Sequence, residues 1–324
     1  MNSARFFKRT FPILLMVALI AACSGPAATP KAPLRVEYTN WWGDYTMIIA
    51  DKKGFFEKYN VEVKPVYYEV FSLALPDLAS AQLDAGTLSL GDTLNVNTHT
   101  NLTAVALSDD GGASVVAARP EIQKITDLKG KKIGINIGSA YELMVDEMLA
   151  SANLKTSDVE FVDTDPENVP QALQDNTIQA GFTWEPYSTQ ARGQGDHILY
   201  SSEQTSGLFA DAIVFRSDLV AQRPEDVRNY LKAWFEAVQF RIANPDEANH
   251  LISFTLNIPL EEVAGDAKLL SMSENLNIYT QKPTGNVISV YSLAQLNADF
   301  LMRNGSLTRI PSILQLFDPS FLSK

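Results

Sequence analysis

One helix-to-strand joint occurs twice in this chain, and the recurrence limits the folds open to it. Leu78, Leu83, Ala85 and Gly86 recur in kind as Leu173, Ile178, Ala180 and Gly181 at a constant offset. Each set links a helical stretch to a short buried strand. The first strand emerges at Ser89-Leu90-Gly91-Asp92 and the second at Trp184-Glu185-Pro186. A supersecondary unit used twice predicts two α/β lobes of one plan.

Strands and helices alternate around both joints. Leu34–Tyr38 reads as a strand, followed by the aromatic loop Asn40-Trp41-Trp42-Gly43-Asp44 and a helix over 45–53. Residues 61–67 are β-rich, 73–81 helical and 85–88 a strand, and Asp92 opens a further helix. A second series begins at 132–136, with a helix after Ser139, a strand at 159–162, a helix near 169–175 and a strand at 180–183. Alternation of this kind argues for parallel sheets covered by helices. In the tail, residues 225–243 place Val227, Leu231, Trp234, Phe235 and Val238 on one helical face, so both aromatics are expected in the core.

The N-terminus has a different character. Arg5, Lys8 and Arg9 precede an apolar run over 11–22 that ends Ile20-Ala21-Ala22-Cys23. Basic head, short apolar segment and small-residue cut are the parts of a secretory signal. With Cys23 at the cut the segment resembles a bacterial lipobox, whose thiol takes acyl chains such as palmitate and becomes the first mature residue. The run is short of the roughly 20 residues that span a bilayer as a helix. Residues 1–22 are therefore expected to be a signal peptide, and 23–33, rich in Pro, Ala and Ser, a lipidated tether.

That placement and the composition exclude several chemistries. Cys23 is the only cysteine, so lipidation leaves no thiol for catalysis, disulfides or zinc. His99, His197 and His250 are far apart and show no metal-binding spacing. Residues 127–134, Asp-Leu-Lys-Gly-Lys-Lys-Ile-Gly, look like a phosphate loop but lack its first glycine and the hydroxyl after Gly-Lys. Net charge is −12, and cleavage before Cys23 makes the chain more acidic still, which argues against nucleic acid as a partner. With 46% apolar and 20% charged residues the mature chain suits a folded globular body. No cofactor and no metal are expected.

Several motifs recur in one order along the chain. They are Trp42-Gly43-Asp44-Tyr45, Ala50-Asp51-Lys52-Lys53-Gly54-Phe55-Phe56 and Gln82-Leu83-Asp84-Ala85-Gly86, then Gly138-Ser139, Gln179-Ala180-Gly181-Phe182-Thr183-Trp184-Glu185-Pro186-Tyr187 and Asn244-Pro245-Asp246-Glu247-Ala248. In order and spacing the chain resembles the ABC-transporter substrate-binding proteins of the nitrate, sulfonate, taurine and thiamine-precursor group, SsuA-like in kind. The resemblance implies a type II periplasmic-binding fold, each lobe a mostly parallel sheet flanked by helices, with a two-strand hinge between lobes that close on a small ligand. On that fold lobe one spans 34–118, lobe two 119–210, and 211–324 returns to lobe one with C-terminal helices.

Ligands of open α/β sheets sit outside the carboxyl ends of strands. This rule selects Trp41, Trp42 and Tyr45 after the first strand, whose flat faces suit a ring or an alkyl chain. Two adjacent tryptophans in a loop cannot both point inward, so at least one is expected in the cleft. Ser139 and Tyr141 lie between a strand and a helix, where backbone donors either hold an oxyanion or are satisfied by a Ser139–Glu142 capping box. Trp184 and Glu185 form the matching edge of lobe two. Glu185 with Asp92, Asp109, Asp110 and Asp211 makes an acidic cleft, which favours an amino-bearing or heteroaromatic solute over nitrate.

The function expected is capture without chemistry: a monomeric, lipid-anchored solute-binding protein outside the cytoplasm that takes a small organic solute, a sulfonate or an amino-bearing or heteroaromatic one such as a thiamine pyrimidine precursor, and passes it to an ABC permease in the membrane. The alternatives are a ligand-sensing lipoprotein for a signalling receptor, and a thiamine-pyrimidine-related enzyme. Against the enzyme, the chain lacks the cysteine-rich motif of that activity, and adjacent carboxylates such as Asp109 and Asp110 more often form turns.

Overall fold

Buried strands announce themselves by near-continuous small and apolar residues, as in Ala85–Ser89, Leu102–Leu107 and Ala180–Trp184, all buried along their length. The structure is a computed structural model that describes residues 31–323 apart from 113, 206–207 and 264–267. The expected signal peptide, Cys23 and the tether up to residue 30 lie outside the described residues. In chain order the strands are β1 (Leu34–Tyr38), β2 (Val63–Tyr67), β3 (Ala85–Ser89), β4 (Leu102–Leu107), β5 (Ser114–Ala118), β6 (Lys132–Ile135), β7 (Glu160–Asp163), β8 (Ala180–Trp184), β9 (His197–Ser201) and β10 (Asp211–Arg216).

They form two five-stranded sheets, ordered β2-β1-β3-β10-β4 and β7-β6-β8-β5-β9. The sheets share one plan: three parallel strands, then one antiparallel strand, then an edge strand. Pro65 sits in β2, an edge position that tolerates a residue without an N–H. The repeated joint is structural. A 3-10 turn at Phe71–Leu73, the helix Ala74–Ala79 and β3 match a turn at Pro166–Asn168, the helix Val169–Gln174 and β8. Helices flank both sheets and no closed barrel forms, so the α/β, two-lobe architecture holds.

The antiparallel strand of each sheet follows a crossing from the other lobe. β5 pairs with β8 and β9, so the chain has already left the first sheet before Ser114, and the lobe boundary expected after Ala118 moves to the segment between Leu107 and Ser114. The expectation failed because β5 reads as a buried strand of either sheet, and only its partners distinguish them. β10 lies between β3 and β4 in the first sheet. Hydrogen bonds join the two crossings: Ser108 N–H donates to the Asp211 carbonyl at 2.8 Å, and Ser202 Oγ donates to the Gly111 carbonyl. Pairing of the crossings makes them a single hinge.

The tail packs on the first lobe. The helix Pro224–Ala243 buries Val227, Leu231, Trp234, Phe235 and Val238 and packs on the helix Tyr45–Lys52. Its Arg241 is buried too, with its guanidinium 4.4 Å from the centre of the Trp42 ring. Among the described residues no helix is long and apolar enough to cross a membrane.

Candidate functional site

The carboxyl ends of the parallel strands in the two sheets converge on one narrow cleft with about 20 Å³ of free volume. The first lobe lines it with Thr39, Trp41, Phe71, Thr87 and Asp211, the second with Ser114, Tyr141 and Trp184, and Phe209 projects from the crossing between them. Rings make most of the wall. Trp184, at the end of β8, meets Phe71 edge-on at 6.3 Å and Tyr141 at 5.5 Å. Tyr141 in turn stacks on Phe182 at 4.5 Å. Such interlocked aromatics are held by many weak contacts and present rigid faces to a ligand.

Short polar links aim this wall. The buried Asp44 carboxylate accepts from the Thr39 N–H at 2.8 Å and the Thr39 hydroxyl at 2.9 Å, and Thr39 Oγ1 accepts from the Trp41 N–H. The Trp41 ring then lies across Gly43, where an added Cβ would stand 1.9 Å from two ring carbons. Only a hydrogen fits there. Tyr141 is fixed from the opposite lobe, its hydroxyl donating to Asp92 at 2.8 Å.

Asp211 brings the carboxyl group of the lining. Among the described residues no donor reaches its carboxylate, and burial together with Asp109, Asp92, Asp44 and Glu37 holds its pKa well above the usual carboxylate range. Each neighbouring acid has at least one donor, although the second oxygen of Glu37 has none among the described residues. Ser108 and Gly111 donate to Asp109, Ser89 and Tyr141 to Asp92, and the Thr87 N–H to Glu37. Burial raises Asp44 and Asp109 to about 7.

Other expected side chains stand elsewhere, each for a local reason. Trp42 is buried beneath Arg241, and Tyr45, fully buried, donates its hydroxyl to the Asn40 carbonyl. Asp92 supports Tyr141 from behind, and Asp109 belongs to the hinge crossing. Ser139 donates to the Asn136 carbonyl at 2.6 Å and accepts from the Tyr141 N–H, while Glu142 takes the Gly138 N–H, so these donors of the loop are satisfied within it. Glu185 pairs with Arg192 at 2.7 Å and accepts from the Thr189 N–H, and it is not part of the cleft lining.

Thr39, Phe71, Thr87, Ser114 and Phe209 line the cleft without having been selected from sequence. Thr39 follows β1 directly, and the strand-end rule contained the signal for it. Phe71 and Phe209 carry no local signal, being ordinary apolar residues of a turn and a crossing.

The lobes touch across the cleft. The Phe71 N–H donates to Glu167 Oε1 at 3.1 Å, and burial raises the Glu167 pKa to about 7. Gly91 abuts Ala140 so closely that an added Cβ would stand 1.9 Å from the Ala140 Cβ. Gln190 reaches Glu262 at 3.3 Å. These contacts describe a closed arrangement.

A family profile described as NMT1/THI5 like matches residues 44–248. A Brucella abortus (strain 2308) chain named only as a binding protein is 27% identical over 275 residues, covering 82% of this chain and 85% of that one. Among solved structures, the periplasmic aliphatic sulphonate binding protein SsuA of Escherichia coli superposes with a TM-score of 0.72 at 20% identity, over 89% of this chain and 92% of its own. The desulfurization enzyme DSZB superposes with a TM-score of 0.63 at 15% identity, over 90% and 98%. Binders and an enzyme thus share this fold, and the site must decide between them.

Proposed function

Since the chain belongs to the NMT1/THI5-like family, we propose that it is the extracytoplasmic solute-binding component of an ABC importer, capturing a small organic solute between its lobes and delivering it to a membrane permease. The observation that carries this reading is the cleft itself: both lobes and the hinge contribute to its wall, so a solute bound there contacts each of them. Contacts made by both lobes at once favour the closed form over the open one, and binding shifts the hinge equilibrium.

Capture leaves the solute intact. The residues lining the cleft offer hydroxyls, rings and a carboxylate, but no histidine, lysine or cysteine to pair as nucleophile and base. The aromatic wall suits a ring or an amino-bearing chain better than nitrate. We place the protein on the outer face of the membrane, anchored as a monomer through acyl chains on Cys23, where it stays near its permease.

Two measurements test the proposal. Mass spectrometry of small molecules released on denaturing freshly purified protein should return one enriched solute, chemically unchanged. Adding that solute back should lower the radius of gyration in small-angle scattering; an unchanged radius, or a solute converted during incubation, would count against capture by closure.

A further inference from the structure

A cleft built for a sulfonate or nitrate needs positive charge or free N–H donors at its floor. Among the described residues no lysine or arginine lines this one. The buried Arg241 stacks on Trp42 and donates to Thr46 Oγ1 at 2.9 Å, and it is absent from the cleft wall. The loop before the helix Tyr141–Ser151 spends its Gly138 and Tyr141 N–H groups on Glu142 and Ser139. What faces the space is a set of rings, three hydroxyls and one carboxylate without a donor among the described residues.

We propose that the cleft selects a compact organic cation, a protonated or quaternary amine or a protonated amidine-type ring, boxed by Trp41, Phe71, Tyr141, Trp184 and Phe209 with Asp211 as its counter-ion. The proposal rests on the solute-binding reading and names the charge of the solute. Ring faces attract cations through their quadrupoles, and a desolvated carboxylate supplies the complementary charge.

Crowding makes this demand specific. Asp109 and the Tyr141 hydroxyl face Asp211 from the hinge crossing and the second lobe, Asp92 from the helix after β3, and Asp44 and Glu37 from the β1 side. Arg241 is the cation on that side, and its field falls on Asp109. An ionised Asp211 in the empty cleft would add one more negative charge to these, so the empty site keeps its proton. An incoming cation takes the proton's place: the carboxylic acid ionises, the cation pairs with the carboxylate, and one proton leaves to solvent. Affinity then rises with pH until Asp211 ionises without help.

The test is calorimetry on the full chain in mild detergent with probes of matched shape: benzyltrimethylammonium and benzamidinium, neutral benzamide, and the anions benzoate, benzenesulfonate and nitrate. We expect at least one cation to bind more than tenfold tighter than its neutral and anionic counterparts. Titrations of the Glu167→Gln variant, which takes up no proton at that position on closure, in two buffers of different ionisation heat should return roughly one proton released per cation, with affinity falling up to about tenfold per unit as pH is lowered. Asp211→Asn should melt no lower than the unaltered protein and lose at least tenfold in cation affinity. Tighter binding of an anion than of its isosteric cation, pH-independent cation binding, or an undiminished Asp211→Asn variant would overturn the proposal. Anion binding would do so while leaving solute capture standing. Silence from every probe would overturn it as well, and solute capture would fall with it only if no small molecule co-purifies.

Discussion

Trp41 and Trp42 occupy successive positions, and their rings enter different environments. The Trp41 ring lies over Gly43 beside the cleft, whereas Trp42 is sandwiched under the Arg241 guanidinium. Truncating them should separate binding from stability. Trp41→Ala removes a ring whose burial against a solute is worth ~1.5–3 kcal/mol, so affinity should fall roughly ten- to a hundredfold with little change in denaturation midpoint. Trp42→Ala leaves a buried cavity and a guanidinium without its ring, at about 3–5 kcal/mol of stability. Equal affinity losses in both variants would show that the two rings are wrongly assigned. Gly43→Ala should imitate Trp41→Ala in binding, because its Cβ displaces the ring.

At the scale of elements, closure depends on how tightly the start of the helix Leu90–Val96 meets the start of the helix Tyr141–Ser151. Gly91→Ala puts a methyl where Ala140 already stands. Within its own lobe that methyl suits a helix, so thermal stability should hold while the lobes stay propped apart. Scattering should show a solute-independent, larger radius of gyration and titration at least tenfold weaker binding; normal closure would refute the wedge. The Glu167–Phe71 link adds a pH dependence. Burial in the closed form raises Glu167 from 4.5 to about 7, and an opening that exposes it would restore the ordinary value, so its contribution to the closed form is then full below about 4.5 and fades as pH rises through 7. Glu167→Gln keeps an acceptor for the Phe71 N–H and should close equally well at pH 6 and pH 8, where the unaltered protein closes less readily at pH 8.

For the whole molecule the same bookkeeping governs stability. Burial raises Asp44 and Asp109 to about 7, so the folded chain holds protons that the unfolded chain releases, and their stabilising contribution is lost as pH climbs from about 4 through 7. Glu274, held down to about 2 by Lys268 and Ser271, acts in the opposite sense, its contribution present above 4.5 and lost as pH falls toward 2. Unfolding free energy should therefore peak in mild acid and fall by more than about 1 kcal/mol between pH 5 and pH 8, read from chemical denaturation at each pH. A flat profile over that range would mean that these carboxyls ionise without cost.

The sequence by itself determined the repeated α/β plan, the strand Leu34–Tyr38 and the paired joints at β3 and β8, because these follow from local periodicity and from turns that any copy of the segment would make. It also brought Trp41, Tyr141, Trp184 and Asp211 into view through the rule that strand ends carry sites. Only the tertiary structure decided which way each side chain faces. Trp42 turns inward for Arg241, 199 positions later in the chain. Glu185 turns toward Arg192, and β5 joins the second sheet because β8 and β9 are its partners. Orientation and strand partnership are long-range choices, made by whichever distant group best satisfies a charge, a ring face or a row of backbone donors, and local pattern carries no record of that competition.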